Sequence, residues 1–179
     1  THVDYQTGFL NHFATEAVDG ALPDGRNSPQ KPAFGLYAEQ FSTTAFTTPR
    51  VENRRSWLYR MRPTAAHGKM RKAEEVGTRW LSSPLDCAIA DPNRMRWDPL
   101  AQPGGDVDFI DGMTTYCANG DVAACDGLGV HLYSCNASMK DRALQVSDGE
   151  MLIVPQQGTL HLTTEFGRLD VPPGHIAVI

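Results

Sequence analysis

The sequence lacks the long apolar runs and short nucleotide-binding or hydrolase motifs that define many functional classes. No stretch approaches the roughly 20 apolar residues of a membrane-spanning helix. The opening residues THVDYQTGF show no basic region followed by an apolar run, which is the signal-peptide pattern. The patterns G-x-S-x-G, G-x-x-x-x-G-K-[ST] and G-x-G-x-x-G are also missing. We therefore expect no membrane partner and no catalytic site built on these motifs.

Cysteine and positive charge are also scarce. No two of the four cysteines form a C-x-x-C pair, which argues against a zinc knuckle or a thioredoxin-like motif; they are Cys87, Cys117, Cys125 and Cys135. Because nothing else indicates export, we expect four reduced thiols in a cytoplasmic protein. The formal charge of -5 disfavours nucleic acid, for which a basic face is typical. Small molecules and other proteins are the expected partners.

What the sequence does contain changes in character near residue 106. Before it, Pro, Gly, Asn and Arg are frequent, and residues 22–29 are turn chemistry. We predict that residues 1–106 form an irregular N-terminal arm pinned to another part of the protein. Its predicted elements are strands at residues 43–47 and 56–62, with Trp57, Tyr59 and Met61 on one face, and a weak helix at residues 69–76.

Residues 107–179 have a β pattern. Short apolar runs alternate with Gly turns, which predicts an antiparallel sandwich or barrel; the predicted strands are 107–110, 113–117, 128–132, 143–146, 151–154, 159–166, 168–171 and 176–179. Leu128, Val130 and Leu132 alternate with more polar residues, so we predict that they form the buried face of a strand. Residues 176–179 read as a strand with no turn after it, and we expect the polypeptide to continue.

A metal site within the chain would need three converging ligands. His161 and Glu165 face the same way on one predicted strand, but about 13 Å of strand separates them. A strand adjacent to that of His161 would allow His131 to approach it, and His175 begins the last strand, yet no third ligand is evident. We predict no metal site here and interpret these histidines as hydrogen-bonded structural residues. The carboxylate pairs Asp106/Asp108 and Asp19/Asp24 are interpreted as solvated loop residues.

Residues 53–60, NRRSWLYR, combine Arg with large aromatic side chains. These residue types are enriched in interface hot spots, and Arg also makes bidentate carboxylate pairs. Two readings stay open: an anchor of the arm, within the subunit or between subunits, or an ordinary intradomain ion pair with a core Trp. The candidate structural or interface residues are Tyr37, Glu39, Arg54, Arg55, Trp57 and Tyr59.

The chain resembles a known family over nearly all of its length. Segments 148–155, 158–160, 167–169 and 173–179 resemble a cupin half-barrel. The arm and the segments that follow it are similar, in order, to the opening of homogentisate 1,2-dioxygenases; the matching residues are 5–9, 20–30, 35–40, 44–47, 53–60, 93–97, 107–112, 135–139 and 152–156. The expected fold class is therefore all-β, a cupin-like jelly-roll or β-sandwich with a long irregular N-terminal arm, whose barrel, begun in residues 107–179, is completed beyond the chain.

The resemblance implies an enzyme that cleaves homogentisate with O2 to give maleylacetoacetate in tyrosine and phenylalanine breakdown. It implies Fe(II) held by two His and one Glu, with positions left open for substrate and O2. It also implies a hexamer built as a dimer of trimers. The family's iron ligands and catalytic base lie beyond Ile179, so no catalytic residue is assigned within the chain, and the isolated segment is expected to be inactive.

Two other functional classes compete with this expectation. One is a non-enzymatic cupin-like module that only binds or assembles, which the missing triad in this segment favours. The other is a cupin enzyme of a different class, such as a sugar isomerase, which would require a metal cluster among residues 107–179.

Overall fold

The computed structural model describes most of the chain, and those residues divide into two compact units. The described residues are 3, 5–8, 11–14, 18–21, 31–42, 44–45, 47–72, 74, 76–85, 92–94, 96, 98–146, 149–165 and 167–179. The first unit comprises Thr1–Lys69 and Leu152–Ile179, and the second comprises Met70–Met151. The predicted arm-and-barrel division at residue 106 was drawn from composition and stays a prediction.

The described residues of the first unit form four antiparallel strand pairs. Aromatic and branched residues favour the extended conformation in these segments. The pairs are β1 (Gln6–Gly8) with β2 (Asn11–Ala14), β3 (Tyr37–Ser42) with β4 (Arg55–Arg60), β7 (Leu152–Ile153) with β10 (Ala177–Val178), and β8 (Leu160–Thr164) with β9 (Gly167–Val171). The buried hydrophobic residues of this unit are Leu58, Ile153, Val171 and Ala177. Two 3-10 turns, Ala33–Gly35 and Thr64–Ala66, flank the β3–β4 hairpin.

The second unit is built on one long hairpin. β5 (Met113–Asp121) pairs antiparallel with β6 (Asp126–Tyr133) through the 3-10 turn Val122–Ala124. Gly120 and Gly127 lie opposite each other with φ of 99° and 120°. A Cβ at Gly127 would overlap the carbonyl oxygen of Asn119, so only glycine permits this close approach of the two strands.

The all-β fold class is confirmed. Within the described residues the only helical segments are three-residue 3-10 turns. Each described sheet has two strands, so the described strands form no closed barrel, in agreement with an incomplete β-sandwich. No helix of the described residues is long and apolar enough to cross a membrane.

Several predicted strands are found with adjusted ends. The predictions at 113–117, 128–132, 151–154, 159–166, 168–171 and 176–179 correspond to β5 through β10. The predicted strand 56–62 is β4, which ends at Arg60 because Pro63 follows two bend residues and has no N–H to donate to a ladder.

Other predicted elements are wrong in the described residues. Residues 107–110 form a turn, because the Asp108 carboxylate accepts the backbone N–H groups of Ile110 and Asp111 at 3.1 Å. The described residues of 43–47 are bends and turns, and the strand lies earlier, in β3. Residues 143–146 are irregular, and the described residues of 69–76 form no helix.

The predicted buried face of β6 is also wrong. Leu128 is 72% exposed, and Val130 and Leu132 are exposed as well. The opposite face is the one that packs: the ring of His131 meets the edge of Trp80 at a centroid distance of 5.9 Å, and Tyr133 contacts Phe109 at 5.0 Å. Aromatic partners from residues 80 and 109 therefore decide which face of the hairpin is covered.

We expect Gly127→Ala to destabilise the protein by at least about 2 kcal/mol, because alanine adds both left-handed strain and an overlap with Asn119. Urea unfolding followed by circular dichroism measures the change. Gly104→Ala is the matched control, since a Cβ there meets open space. Equal stabilities of the two variants would contradict the close approach.

Candidate functional site

The strongest polar cluster of the first unit surrounds Arg60. Glu39 lies opposite Leu58 in the β3–β4 register, so it is diagonal to Arg60 on the hairpin. Arg60 Nε lies 3.0 Å from Glu39 Oε2, and its two terminal nitrogens donate to the two oxygens of Glu165 at 3.3 Å. The Arg60 side chain is only 15% exposed. One guanidinium thus binds two carboxylates that are far apart in sequence.

Glu39 is further held by the turn that follows β4. Its two carboxylate oxygens accept the backbone N–H of Thr64 at 2.7 Å and the Thr64 hydroxyl at 2.8 Å. The Thr64 backbone hydrogen bond is the largest cause of a lowered Glu39 pKa; the Thr64 hydroxyl adds to it, desolvation opposes it, and the charges of Arg60 and His67 contribute less. A general base works best with a pKa near the operating pH, so this carboxylate is suited to structure rather than proton transfer.

A shallow pocket of about 330 Å³ lies beside this ion pair, lined by Glu39, Gln40, Leu58, Arg60 and Thr64. Ligand sites are usually mostly apolar with a few polar groups that remain free to select the ligand. Here both charged side chains already bind each other or their neighbours. The pocket is therefore better explained as the margin of the ion-pair cluster than as a substrate site.

The six residues predicted as structural or interface candidates all lie on or beside the β3–β4 hairpin. Tyr37 is exposed, and Arg54 is exposed while its backbone N–H donates to Thr44 Oγ1 at 2.9 Å. Tyr59 is half-buried, and desolvation raises its pKa. The side chains of Arg55 and Trp57 lie outside the described residues, although their backbone belongs to β4.

Glu39 and Arg60 form an ion pair within the first unit, whereas the side chain of Trp57, which the intradomain reading placed in the core, lies outside the described residues. Sequence reasoning missed the second carboxylate that Arg60 binds, Glu165. No local signal in the sequence could have found it, because 105 residues separate Glu165 from Arg60. The interface reading of Tyr37, Arg54 and the other candidates stays a prediction.

His161 and Glu165 have separate partners in the first unit. His161 lies opposite Asp170, with 2.6 Å between Nδ1 and Oδ1, whereas Glu165 binds Arg60. The backbone N–H of Asp170 donates to the Tyr5 hydroxyl at 2.8 Å, which ties residue 5 to β9. The His161–Asp170 pair is therefore a cross-strand contact between β8 and β9.

His131 belongs to a hydrogen-bonded group of the second unit. Its Nδ1 lies 3.0 Å from Thr115 Oγ1, which also accepts the backbone N–H of Leu81 at 2.7 Å. The ring lies over Gly129, where a Cβ would be 2.7 Å from Nε2. His131 and His161 lie in different units and in different two-stranded sheets, because β6 pairs with β5 and β8 pairs with β9.

In the second unit, Asp108 and Asp111 both contact Arg142. Arg142 Nε donates to Asp108 Oδ2 at 2.8 Å, and Nη2 contacts Asp111 Oδ2 at 2.5 Å. Burial raises the Asp108 pKa, but hydrogen bonds from Arg142 and from the backbone of residues 110 and 111 outweigh it, so the pKa is lowered. Both carboxylates raise the pKa of Arg142.

Asn136 closes the same region from the other side. Its side-chain oxygen accepts the Val107 N–H at 2.8 Å, and its side-chain nitrogen donates to the Gly105 carbonyl at 2.9 Å. Two of the segments that carry the family resemblance, 107–112 and 135–139, are therefore joined by hydrogen bonds. Asp106 and Asp19 are exposed, and Asp24 lies outside the described residues.

The described residues do not fit an iron site of two His and one carboxylate. Such a site needs three side chains that converge on one ion. No group of three His, Cys, Asp or Glu residues in the described part of the chain is arranged in this way. His175 is exposed at the turn before β10, and its backbone N–H donates to the Pro172 carbonyl. Cys117, Cys125 and Cys135 are free thiols, and Cys87 lies outside the described residues.

We expect the free energy of unfolding of the Glu39→Gln variant to depend less on pH in the acid range than that of the parent. The folded-state pKa of Glu39 is lowered, so its contribution is present above the ordinary glutamate pKa of about 4.3 and is lost as the pH falls through the folded value. Urea unfolding between about pH 7 and pH 3 should therefore show a smaller loss of stability for the variant than for the parent. Glu150→Gln, at an exposed position, should follow the parent curve. A Glu39→Gln curve parallel to the parent would contradict the assignment.

A comparison with known protein families agrees with the sequence and the fold. The model described as homogentisate 1,2-dioxygenase N-terminal matches residues 4–179. The match includes both hydrogen-bonded clusters, around Arg60 and around Asp108. It covers nearly the whole sequence, and so the chain belongs to the homogentisate 1,2-dioxygenase N-terminal family.

Proposed function

We propose that this chain is the N-terminal region of an Fe(II)-dependent dioxygenase that opens the ring of homogentisate. Both atoms of O2 enter the product, maleylacetoacetate, as a step of tyrosine and phenylalanine catabolism in the cytoplasm. The observation that supports the proposal is the family match over residues 4–179. The small aromatic substrate, O2 and iron are all part of this proposal.

Within that enzyme, the proposed role of the chain is scaffold. Its best-connected ionisable groups are occupied in structural contacts: Arg60 with two carboxylates, and Asp108 with Arg142. Because the described residues offer no fitting iron site, we propose that the iron ligands and the catalytic base are supplied by another part of the polypeptide. The bound Fe(II) would bring substrate and O2 together there.

The full-length enzyme should consume one O2 per homogentisate after reconstitution with Fe(II) under reducing conditions. An oxygen electrode and mass spectrometry of the product measure this stoichiometry. Gentisate, which carries its carboxyl directly on the ring, tests specificity for the acetate side chain. The 1–179 polypeptide with Fe(II) should show no turnover. Turnover by it would contradict the proposal that the iron ligands lie in another part of the polypeptide. A full-length protein that assembles but never consumes O2 would instead favour the non-enzymatic module.

We also propose that the full-length protein is a homo-hexamer, a dimer of trimers, in which the β3–β4 hairpin contributes to a subunit contact. The exposed positions of Tyr37 and Arg54 support this assignment. The Glu39–Arg60 pair would then fix the shape of the hairpin from within.

Arg54→Ala combined with Arg55→Ala should shift the full-length protein toward smaller species, because these side chains would lose their pairing across the contact. Sedimentation velocity measures the mass distribution at micromolar concentration. Arg168→Ala, an exposed arginine on β9, is the matched control. Unchanged mass and unchanged stability of the double variant would leave the hairpin without an interface role.

A further inference from the structure

The charge of the chain is strongly divided along the sequence. Residues 50–72, the basic segment, contain eight of the 16 Lys and Arg residues and one of the 21 acidic residues, a net charge of +7. The remainder of the chain therefore carries -12. Residues 97–139 contain six Asp and no Lys, Arg or Glu. Such a division favours association with a surface of opposite charge.

The basic segment presents exposed apolar groups together with its charges. Arg50 and Arg54 are exposed, Val51 between them is 91% exposed, and Met61 after β4 is 76% exposed. Arg and Met are enriched where proteins meet, whereas exposed Val and Met side chains contribute little to binding a phosphate backbone, which basic groups dominate. The mixture of Arg with exposed apolar side chains favours a protein partner.

The acidic hairpin, β5–β6, has the complementary character. Asp121 and Asp126 lie directly opposite each other at its tip, and like charges in such a pair destabilise a hairpin. All charged side chains within 97–139 are aspartates. Asp108 and Asp111 pair with Arg142, and the Asp121 carboxylate accepts the Ala123 backbone N–H at 2.8 Å. Along β6 the side chains of Leu128, Val130 and Leu132 are exposed, so the negative tip continues into an apolar strip. A partner that brings cations and apolar groups together would satisfy both features.

We propose that the basic segment of one copy docks on the acidic hairpin of a second copy of this chain. The inference rests on the proposed homo-oligomer and specifies one of its contacts. Two different patches meet, so the contact is heterologous and generates a ring when the rotation between copies closes. Charge complementarity steers the approach, and the exposed apolar residues of both patches are buried when the contact forms.

Charge reversal on the full-length protein tests the contact. Arg50→Glu with Arg54→Glu reverses two charges of the basic segment and lowers its net charge from +7 to +3. Asp126→Lys reverses one charge at the hairpin tip, so that the Asp121/Asp126 pair becomes neutral overall. Each variant should raise the dissociation constant between copies about tenfold or more at low salt, because each removes much of the charge attraction between the two patches. Asp126→Lys also replaces a like-charge pair with an opposite-charge pair, so its melting temperature should not fall. The matched control is Arg168→Glu with Glu150→Lys, at exposed positions outside both patches.

Two recombinations make the test specific. All three substitutions on one chain should restore the dissociation constant to within about threefold of the parent, as expected for complementary charges. Mixing the two reversed variants should give hybrid assemblies in native mass spectrometry, larger than either variant forms alone. Parent association should weaken when salt is raised from about 0.05 M to about 0.5 M, since the screening length shortens.

Three results would overturn the proposal: unchanged association of both reversed variants, restoration on one chain without hybrids in the mixture, or reversal-sensitive binding of a heparin or DNA probe with self-association intact. The second result would place the contact within one chain, and the third would make the partner a polyanion. Oxygen uptake is measured on the same samples. Intact turnover with failed charge pairing refutes only this contact, whereas charge pairing without turnover refutes only the proposed catalysis.

Discussion

Arg60 forms ion pairs with two carboxylates, and these contacts organise the first unit. It joins the β3–β4 hairpin, which carries Glu39, to the end of β8, where Glu165 lies. Closing a loop of this length costs conformational entropy, but that cost grows only slowly with length. Because Arg60 is largely covered and Glu165 is exposed, the strength of the two contacts differs, and the Glu39 contact is less screened by solvent. Removing the arginine would leave the partly covered Glu39 with only its Thr64 hydrogen bonds and the weaker effect of His67, and a covered charge without its main partner is costly.

The second unit uses the same chemistry around Arg142. There Asp108 and Asp111 come from one turn, so the arginine closes that turn instead of joining distant strands. Among the described residues few side chains are well buried, and their hydrophobic core contains seven residues: Leu58, Val76, Ile110, Met113, Ile153, Val171 and Ala177. With so little apolar burial, charge-assisted hydrogen bonds and side chain–backbone bonds carry much of the local order.

Local sequence signals predicted the elements that depend on local chemistry. Alternation and Gly turns located β5, β6, β8 and β9, and the aromatic residues near 57 and 59 located β4. They failed at residues 107–110, where the Asp108 side chain takes over the backbone N–H groups that a strand would use. They also failed on the covered face of β6, which is set by Trp80 and Phe109 rather than by the hydrophobicity of β6 itself. The Arg60–Glu165 contact depends on tertiary structure alone. The family was identified from loop residues, and three of them have specific contacts with the backbone. Asn136 and Asp108 accept backbone N–H groups, and a Cβ at Gly112 would overlap the Ser134 carbonyl oxygen.

Gly129 shows how a position with no side chain can fix the orientation of another residue. The imidazole of His131 occupies the volume that a side chain at residue 129 would fill. Through its hydrogen bond with Thr115, it is also connected to the backbone of Leu81. A single methyl group at position 129 would push the His131 ring away. This would weaken its contact with the Thr115 hydroxyl and, in turn, the hydrogen bond between Thr115 and Leu81. The position of the His131 ring therefore limits which residues position 129 can accept. The backbone of Gly129 itself has an ordinary extended conformation, which any residue could adopt.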